Sequence, residues 1–124
     1  MGSRGYQDLE VWKAGMDFVT ACYLATQNFP KCEVYGLTNQ LRRAAVSIPS
    51  NIAEGQARQH KREFAQFLSI ASGSVAEVET QLSISVRLGY LDQAQADDLL
   101  TRAGSIGRML RGLRKSLQQQ EGGC

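Results

Sequence analysis

The side chains best suited to binding chemistry in this sequence are basic. One cluster, in a stretch without acidic residues from position 99 to 120, contains Arg108, Arg111, Arg114 and Lys115. A second cluster contains Arg58, Lys61 and Arg62. Guanidinium and ammonium groups bind phosphates, so both clusters predict a nucleic-acid-binding surface. The alternative is an ordinary solvated face. The first cluster would then also interact favourably with the negative, C-terminal end of its helix dipole.

The other polar residues give little support to catalysis. His60 is the only histidine, which excludes a histidine metal triad or a paired histidine relay within one chain. Glu77 and Glu79 would diverge by about 160° on a helix, so they cannot face each other as an acid–base pair. The sequence has no glycine-rich phosphate loop and no nucleophile elbow. We therefore expect no enzyme activity, no cofactor and no metal.

A line of polar residues borders the apolar stripe of the second predicted helix. Its members, three or four positions apart, are Gln40, Arg43, Ser47, Asn51 and Glu54. Buried polar groups need partners, and Glu77 and Glu79 of the third helix are available. These carboxylates can reach Arg42 or Arg43. The pattern predicts a structural hydrogen-bonded network that includes both glutamates, and the alternative is a binding surface.

Four helices must position these residues. Apolar side chains recur every three or four positions over about residues 8–28, 37–57, 60–88 and 92–119. Pro30 and Gly89 mark helix ends, and Asp92 with Gln95 has the pattern of a capping box. Short connections favour an all-α, up-down-up-down antiparallel four-helix bundle. Pro49 lies inside the second helix and predicts a kink there.

Two of these helices carry more apolar surface than one core needs. On the first helix we expect Leu9, Trp12, Met16, Val19 and Tyr23 to face the bundle. Further apolar residues lie roughly opposite the expected core faces of the first and third helices, namely Val11, Phe18, Cys22, Phe29, Ile70, Ile84 and Leu88. Helices that are apolar on two sides are often buried on both, so this set predicts an oligomer interface. The alternative is scattered surface apolar residues.

Length and composition indicate one domain. The chain has 124 residues, 43% of them apolar, and we expect a domain at 6–119 with flexible termini at 1–5 and 120–124. Fourteen basic and twelve acidic residues give a net charge of +2, too weak to imply nucleic acid by itself. Three cysteines without metal-binding spacing, and no signal peptide or membrane span, predict a cytoplasmic protein.

Three segments carry a specific pattern. They are DLEVWKA at residues 8–14, QLRRAAVSIPSNIAEG at 40–55, and residues 64–90, which include FLSIASGS and EVET. Over about residues 6–117 the sequence resembles the bacterial four-helix-bundle family of 23S rRNA intervening-sequence proteins. The resemblance implies an up-down bundle and, as in several relatives, a homopentamer. One related branch is the accessory protein of diversity-generating retroelements, which associates with nucleic acid and a reverse transcriptase.

These observations lead to one functional expectation. We expect a non-enzymatic homo-oligomer, a pentamer by resemblance, that acts as a nucleic-acid-associated accessory factor. Its expected partners are further copies of itself, RNA or DNA, and a reverse transcriptase or another protein, but no membrane. The alternative is a protein-interaction scaffold without direct nucleic-acid binding.

Overall fold

Four α-helices account for most of residues 5–122, the part of the chain that this computed structural model describes, with the backbone alone for residues 120–122. The helices are α1 (Glu10–Thr26), α2 (Leu37–Ala57), α3 (Lys61–Arg87) and α4 (Gln93–Gly122). Short 3-10 helices at Gly5–Asp8 and Lys31–Glu33 precede α1 and α2, and no strand occurs within the described range. Consecutive helices pack together and α1 also packs against α4, which confirms the four-helix bundle.

The helix ends follow local sequence signals. The capping box before α4 is confirmed, because the Gln95 N–H donates to Asp92 Oδ1 at 2.7 Å and the Asp92 N–H donates to Gln95 Oε1 at 3.2 Å. After α3, Gly89 adopts a φ of 77°. The Tyr90 N–H then reaches the Ser85 carbonyl at 2.9 Å, which satisfies a carbonyl at the helix end.

The predicted flexible termini are only partly within the described range. Residues 1–4 and 123–124 lie outside it. Helix α4 continues to Gly122, past its predicted end at residue 119. None of the described helices combines the length and the apolar content that a membrane span requires.

The hydrophobic core lies between the four helices. Residues at helical spacing in α2, α3 and α4 point into it, as their periodicity predicts. Its largest buried apolar side chains are Phe18, Leu41, Ile48, Ile52, Leu68, Val78, Leu82, Ile106 and Leu110. Burying each such side chain contributes about 1.5–3 kcal/mol, so this core supplies the main stabilising free energy of the bundle.

Helix α1 uses the opposite face from the one expected. The stripe predicted to meet a second subunit is at most 7% exposed in the single chain and contains Val11, Phe18, Cys22 and Phe29. These four are core residues, so the interface prediction is wrong for them. In the stripe expected to face the core, Met16 is 44% exposed and Tyr23 is 41% exposed.

Gly15 belongs to the buried face of α1. It lies on the same side of α1 as Val11 and Phe18, and it is buried. A Cβ at Gly15 would lie 3.5 Å from ring carbons of the buried Pro49 in α2. This is an ordinary van der Waals distance, so α1 packs directly against α2 on this side. Helix α2 includes Pro49 without interruption from Leu37 to Ala57, and the kink there stays a prediction.

The closest helix contact lies between α2 and α3. A Cβ added at Gly55 would lie 2.6 Å from the Cβ of Phe67 and 3.1 Å from Cδ1 of Phe64. Those distances leave no room for a methyl group at position 55. Gly55 thus allows the C-terminal part of α2 to pack against the two phenylalanines at the start of α3.

We predict that Gly55→Ala lowers the free energy of unfolding by about 1–3 kcal/mol, because the added methyl group overpacks the contact with Phe67. Gly73→Ala is the matched control, since a Cβ at this exposed helical position meets nothing within 4 Å. It should raise stability by about 0.5–1 kcal/mol through helix propensity. Urea denaturation of both variants measures the difference, and equal midpoints would contradict the close contact.

A second prediction concerns the two described cysteines. Cys22 is fully buried, and this burial raises the pKa of its thiol to about 12, whereas Cys32 is exposed. In a Cys124→Ser variant we expect a thiol reagent near neutral pH to modify Cys32 rapidly and Cys22 only after unfolding. Mass spectrometry of the labelled peptides checks this. Rapid labelling of Cys22 in the native protein would show that α1 does not bury this face.

Candidate nucleic-acid interface

The antiparallel course of the helices brings the two basic clusters to the same end of the bundle. Helix α2 ends and α3 begins at this end, and α4 finishes there. A hydrogen bond of 2.8 Å from Arg114 Nη1 of α4 to Ser69 Oγ of α3 fixes this alignment. We call this region the basic end; it comprises Arg58, Lys61, Arg62, Arg108, Arg111, Arg114 and Lys115.

Two of the seven basic residues are engaged in holding the bundle together. Arg58 lies 3.2 Å from the Glu54 carboxylate and 3.8 Å from that of Glu63, and its guanidinium lies 5.3 Å from the centre of the Phe67 ring. These contacts join the end of α2 to the start of α3. Arg114 bonds to Ser69 and joins α4 to α3. Both charges are therefore partly committed to structure.

The other five basic residues are free to meet a ligand. Lys61, Arg62, Arg108, Arg111 and Lys115 are all exposed, and none has a side-chain hydrogen bond or ion pair among residues 5–119. The guanidinium groups of Arg108 and Arg111 lie beside glycines of the preceding helical turn. Nη1 of Arg108 lies 3.6 Å from the position of a Cβ at Gly104, and Nη1 of Arg111 lies 3.6 Å from that of a Cβ at Gly107. Unpaired cations on an exposed surface can neutralise phosphates.

Charge is distributed unevenly along α4. The opposite end carries Asp92, Asp97 and Asp98 at the start of α4, where acidic side chains favour the helix dipole. Asp98 pairs with Arg102 at 3.2 Å, and Asp97 accepts a hydrogen bond from Gln93. The net charge of +2 therefore hides a separation of charge along α4, between an acidic first turn and a basic C-terminal half.

The Glu33 carboxylate connects the α1–α2 and α3–α4 loops at the end of the bundle opposite the basic end. The Leu37 N–H donates to Glu33 Oε1 at 3.0 Å, and the Tyr90 hydroxyl donates to Glu33 Oε2 at 2.9 Å. Both bonds lower the pKa of the Glu33 carboxyl, the one from Leu37 more than the one from Tyr90. The bond to Glu33 also raises the pKa of the Tyr90 hydroxyl. Sequence periodicity does not predict the Tyr90 contact, because 57 positions separate its residues.

The polar line on α2 forms a network in its central part. Ser47 Oγ lies 2.6 Å from Ser74 Oγ of α3, and Asn51 Nδ2 donates to the Ser47 carbonyl at 2.7 Å and to its hydroxyl at 3.0 Å. Ser74 also donates to the Ile70 carbonyl, and the sequence pattern does not predict this serine as a member of the network. Glu54, the last member of the line, pairs with Arg58 rather than with this network.

The predicted pairing of Glu77 or Glu79 with an arginine of α2 does not form among the described residues. Arg42 turns to the end of α1 instead, where Nε donates to Thr26 Oγ1 at 2.8 Å and the guanidinium lies 4.5 Å from the centre of the Tyr23 ring. The carbonyls at a helix C-terminus favour a cation there. Arg43 and Glu77, with Asn39, Gln40, Ala44 and Ser47, line an open cleft of about 340 Å³.

Apolar surface remains uncovered on two faces. The outer stripe of α1 and residues of α2 form a groove of about 340 Å³ lined by Tyr6, Trp12, Met16, Val19, Val46, Pro49, Ser50 and Ala53. On α3, the predicted interface residues Ile70, Ile84 and Leu88 are 52%, 41% and 53% exposed.

Over the described part of the chain, no three histidine, cysteine, aspartate or glutamate side chains gather where they could hold a metal ion.

Comparison with known proteins identifies the family. The family model described as 23S rRNA-intervening sequence protein matches residues 7–112, so the chain belongs to this family. A solved structure from Bacteroides thetaiotaomicron, described as a protein with unknown function from the S23 ribosomal protein family, has a similar fold. It is 23% identical with a TM-score of 0.76, and the match covers 85% of this chain and 98% of that one. No curated protein matches the sequence.

We predict that Ser74→Ala lowers the free energy of unfolding by about 1 kcal/mol, because it leaves the Ser47 hydroxyl with one partner fewer. Ser83→Ala is the matched control. Ser83 is exposed on the same helix, and its hydroxyl bonds only to the Glu79 carbonyl one turn back. That variant should change stability by less than about 0.5 kcal/mol. Chemical denaturation compares the two, and equal effects would show that the network contributes nothing measurable.

Proposed function

We propose that this member of the 23S rRNA-intervening sequence family is a non-catalytic accessory protein that binds RNA through the basic end and acts as a homo-oligomer. The observation that carries the proposal is the gathering, at one end of the bundle, of five exposed cations from α3 and α4 that have no ion-pair partner among residues 5–119. The family description names 23S rRNA, which favours RNA over DNA as the first nucleic acid to test.

The arrangement of these cations supports phosphate binding without base recognition. Lys61 and Arg62 begin α3, and Arg108, Arg111 and Lys115 follow one face of α4 at intervals of three and four residues. One face of α4 therefore presents charges over about 10 Å, from the rise of 1.5 Å per residue. Phosphate contacts supply affinity and position a protein on nucleic acid, whereas sequence is read from base edges.

Self-association is supported by the surface of α1. Only Glu10, Lys13 and Asp17 are charged in this helix, and its exposed large apolar residues are Met16, Tyr23 and Leu24. A helix with apolar residues on both sides tends to be covered on both. The family resemblance implies five copies. Each further copy would add a basic end and so raise the avidity for a long polyanion.

The likeness to the accessory protein of diversity-generating retroelements gives the proposal a more specific form. In that form the protein would bring nucleic acid and a reverse transcriptase together. The second candidate function is a protein-interaction scaffold without direct nucleic-acid binding, favoured by the exposed apolar groove between α1 and α2. The two functions differ in whether a purified sample binds RNA.

We predict that the purified, nuclease-treated protein binds structured RNA with an affinity that falls steeply as salt rises. Substituting Lys61, Arg62, Arg111 and Lys115 by Ala should lower affinity at least tenfold. It should also reduce the slope of log K against log salt by about 0.7–0.9 for each phosphate that the variant no longer neutralises. Fluorescence anisotropy over a salt series measures both quantities, with duplex DNA as the comparison.

The matched control is Arg87→Ala, which removes an exposed arginine at the opposite end of α3. Its affinity and salt slope should equal those of the wild type. No binding by the wild-type protein at low salt would overturn the RNA-binding function and favour the scaffold. A loss of affinity in Arg87→Ala as large as that in the single variant Lys115→Ala would show that net charge, not the basic end, determines binding.

A further inference from the structure

An apolar cleft opens between α1 and α4 beside the basic end. Its volume is about 350 Å³, and it is lined by Leu9, Glu10, Val11, Met109, Gly112 and Leu113. Met109 is 40% exposed in it. Glu10 is the one charged residue among these six, so the walls of the cleft are otherwise apolar. Such a concavity is suited to the apolar part of a ligand.

Cations lie next to this cleft on the outer face of α4. Arg108 precedes Gly112 by four residues and Lys115 follows it by three, and residues at these spacings are neighbours on a helix surface. Both basic side chains are exposed, and neither forms an ion pair among residues 5–119. A ligand that matches this surface is apolar in its middle and anionic on both sides.

One nucleotide unit of RNA has this form. Its base is a flat ring system, and a phosphate follows on both the 5′ and the 3′ side. In a duplex the base is paired and stacked, so the apolar cleft cannot reach it. An unpaired base can turn out of the strand and stack against apolar side chains of a protein. The cations alone read no base, but the cleft beside them has room for one.

Glu10 supplies the charged hydrogen-bonding group of the cleft. Its side chain is 81% exposed, and its Oε1 lies 3.5 Å from Lys13 Nζ. An ionised carboxylate accepts hydrogen bonds and donates none. Guanine offers N1–H and N2–H side by side, so one base can donate to both carboxylate oxygens. Uracil presents a single N–H between two carbonyl oxygens, which a carboxylate repels.

We propose that the cleft between α1 and α4 receives an unpaired base of the bound RNA, with guanine preferred, while Arg108 and Lys115 hold the phosphates on either side of it. This inference rests on the RNA binding proposed above and gives it a substrate class, namely RNA that carries unpaired guanosines. Phosphate contacts supply affinity, and the base in the cleft supplies selectivity.

Fluorescence anisotropy with three matched RNA hairpins tests the proposal. One hairpin is fully paired, the second carries a single bulged guanosine, and the third carries a bulged uridine at the same position. We expect the wild-type protein to bind the guanosine bulge about tenfold more tightly than the paired hairpin, and the uridine bulge with intermediate affinity. The three salt slopes should agree, because the same number of phosphates is neutralised.

Filling the cleft should remove this preference. In Gly112→Leu the new side chain occupies the cleft, and a Cβ at this exposed position meets nothing within 4 Å. We expect its affinity for the guanosine bulge to fall to that for the paired hairpin, which should not change. Gly73→Leu is the matched control, since a Cβ at this exposed position of α3 also meets nothing within 4 Å. Circular dichroism confirms that the helices of both variants are intact.

Glu10→Gln tests the choice of base. The substitution removes the carboxylate and keeps the size of the side chain, so the ratio of the affinities for the guanosine and uridine bulges should fall toward one. The ratio is the readout because the change also frees Lys13, which raises the affinity for every RNA. An unchanged ratio would overturn the assignment of guanine to this cleft.

The remaining outcomes separate this inference from the proposed function. Equal affinity for bulged and paired hairpins, or an equal loss in Gly73→Leu and Gly112→Leu, would overturn the inference and leave RNA binding by the basic end in place. A wild-type protein that binds none of the hairpins would overturn both.

Two other occupants of the cleft would give different results, and each would also overturn the inference. Binding to phosphatidylglycerol vesicles that is lost in Gly112→Leu, without a preference for bulged RNA, would assign the cleft to an acyl chain. A lower mass of Gly112→Leu than of the wild type in sedimentation velocity would assign it to a second copy of the chain.

Discussion

The close packing of α2 against α3 is the contact on which the rest of the bundle depends. At one end of this contact, Gly55 has no side chain and so leaves room for Phe64 and Phe67. In the middle, the Ser47–Ser74 hydrogen bond joins the two helices. With α2 and α3 fixed in register, α1 packs against α2 and α4 against α3. The register also decides which surface residues become neighbours, including the cations at the start of α3 and those on α4.

Local signals in the sequence were sufficient for much of the fold. The bounds of α2, the capping box at Asp92 and the left-handed Gly89 each depend on residues within a few positions of one another. The inner face of α1 cannot be found in this way, because both of its stripes are apolar and only their packing in the fold distinguishes them. Long-range pairs were missed for the same reason, since Tyr90 and Arg42 find partners that periodicity does not specify.

In the candidate site, too, the residues follow from the sequence and their arrangement follows from the fold. Its seven basic residues could be named from the sequence, but their arrangement into one basic end requires the antiparallel topology. The distinction between structural and available cations is also a property of the fold. Arg58 and Arg114 hold helices together, whereas Lys61, Arg62 and the cations on the outer face of α4 form no ion pair within the described part of the chain. A chain with little net charge can thus present a phosphate-binding surface, because the acidic side chains at the basic end pair with Arg58 and not with the cations on the outer face of α4.

Photochemical cross-linking tests the central claim, that RNA lies on the basic end, most directly. The nuclease-treated protein would be irradiated with a thiouridine-containing structured RNA at physiological salt, and the attached nucleotides located by mass spectrometry. We predict cross-links in peptides from the start of α3 and from residues 105–119 of α4. Cross-links confined to the opposite end, around Arg87 and the start of α4, would contradict the claim, as would their complete absence with the wild-type protein.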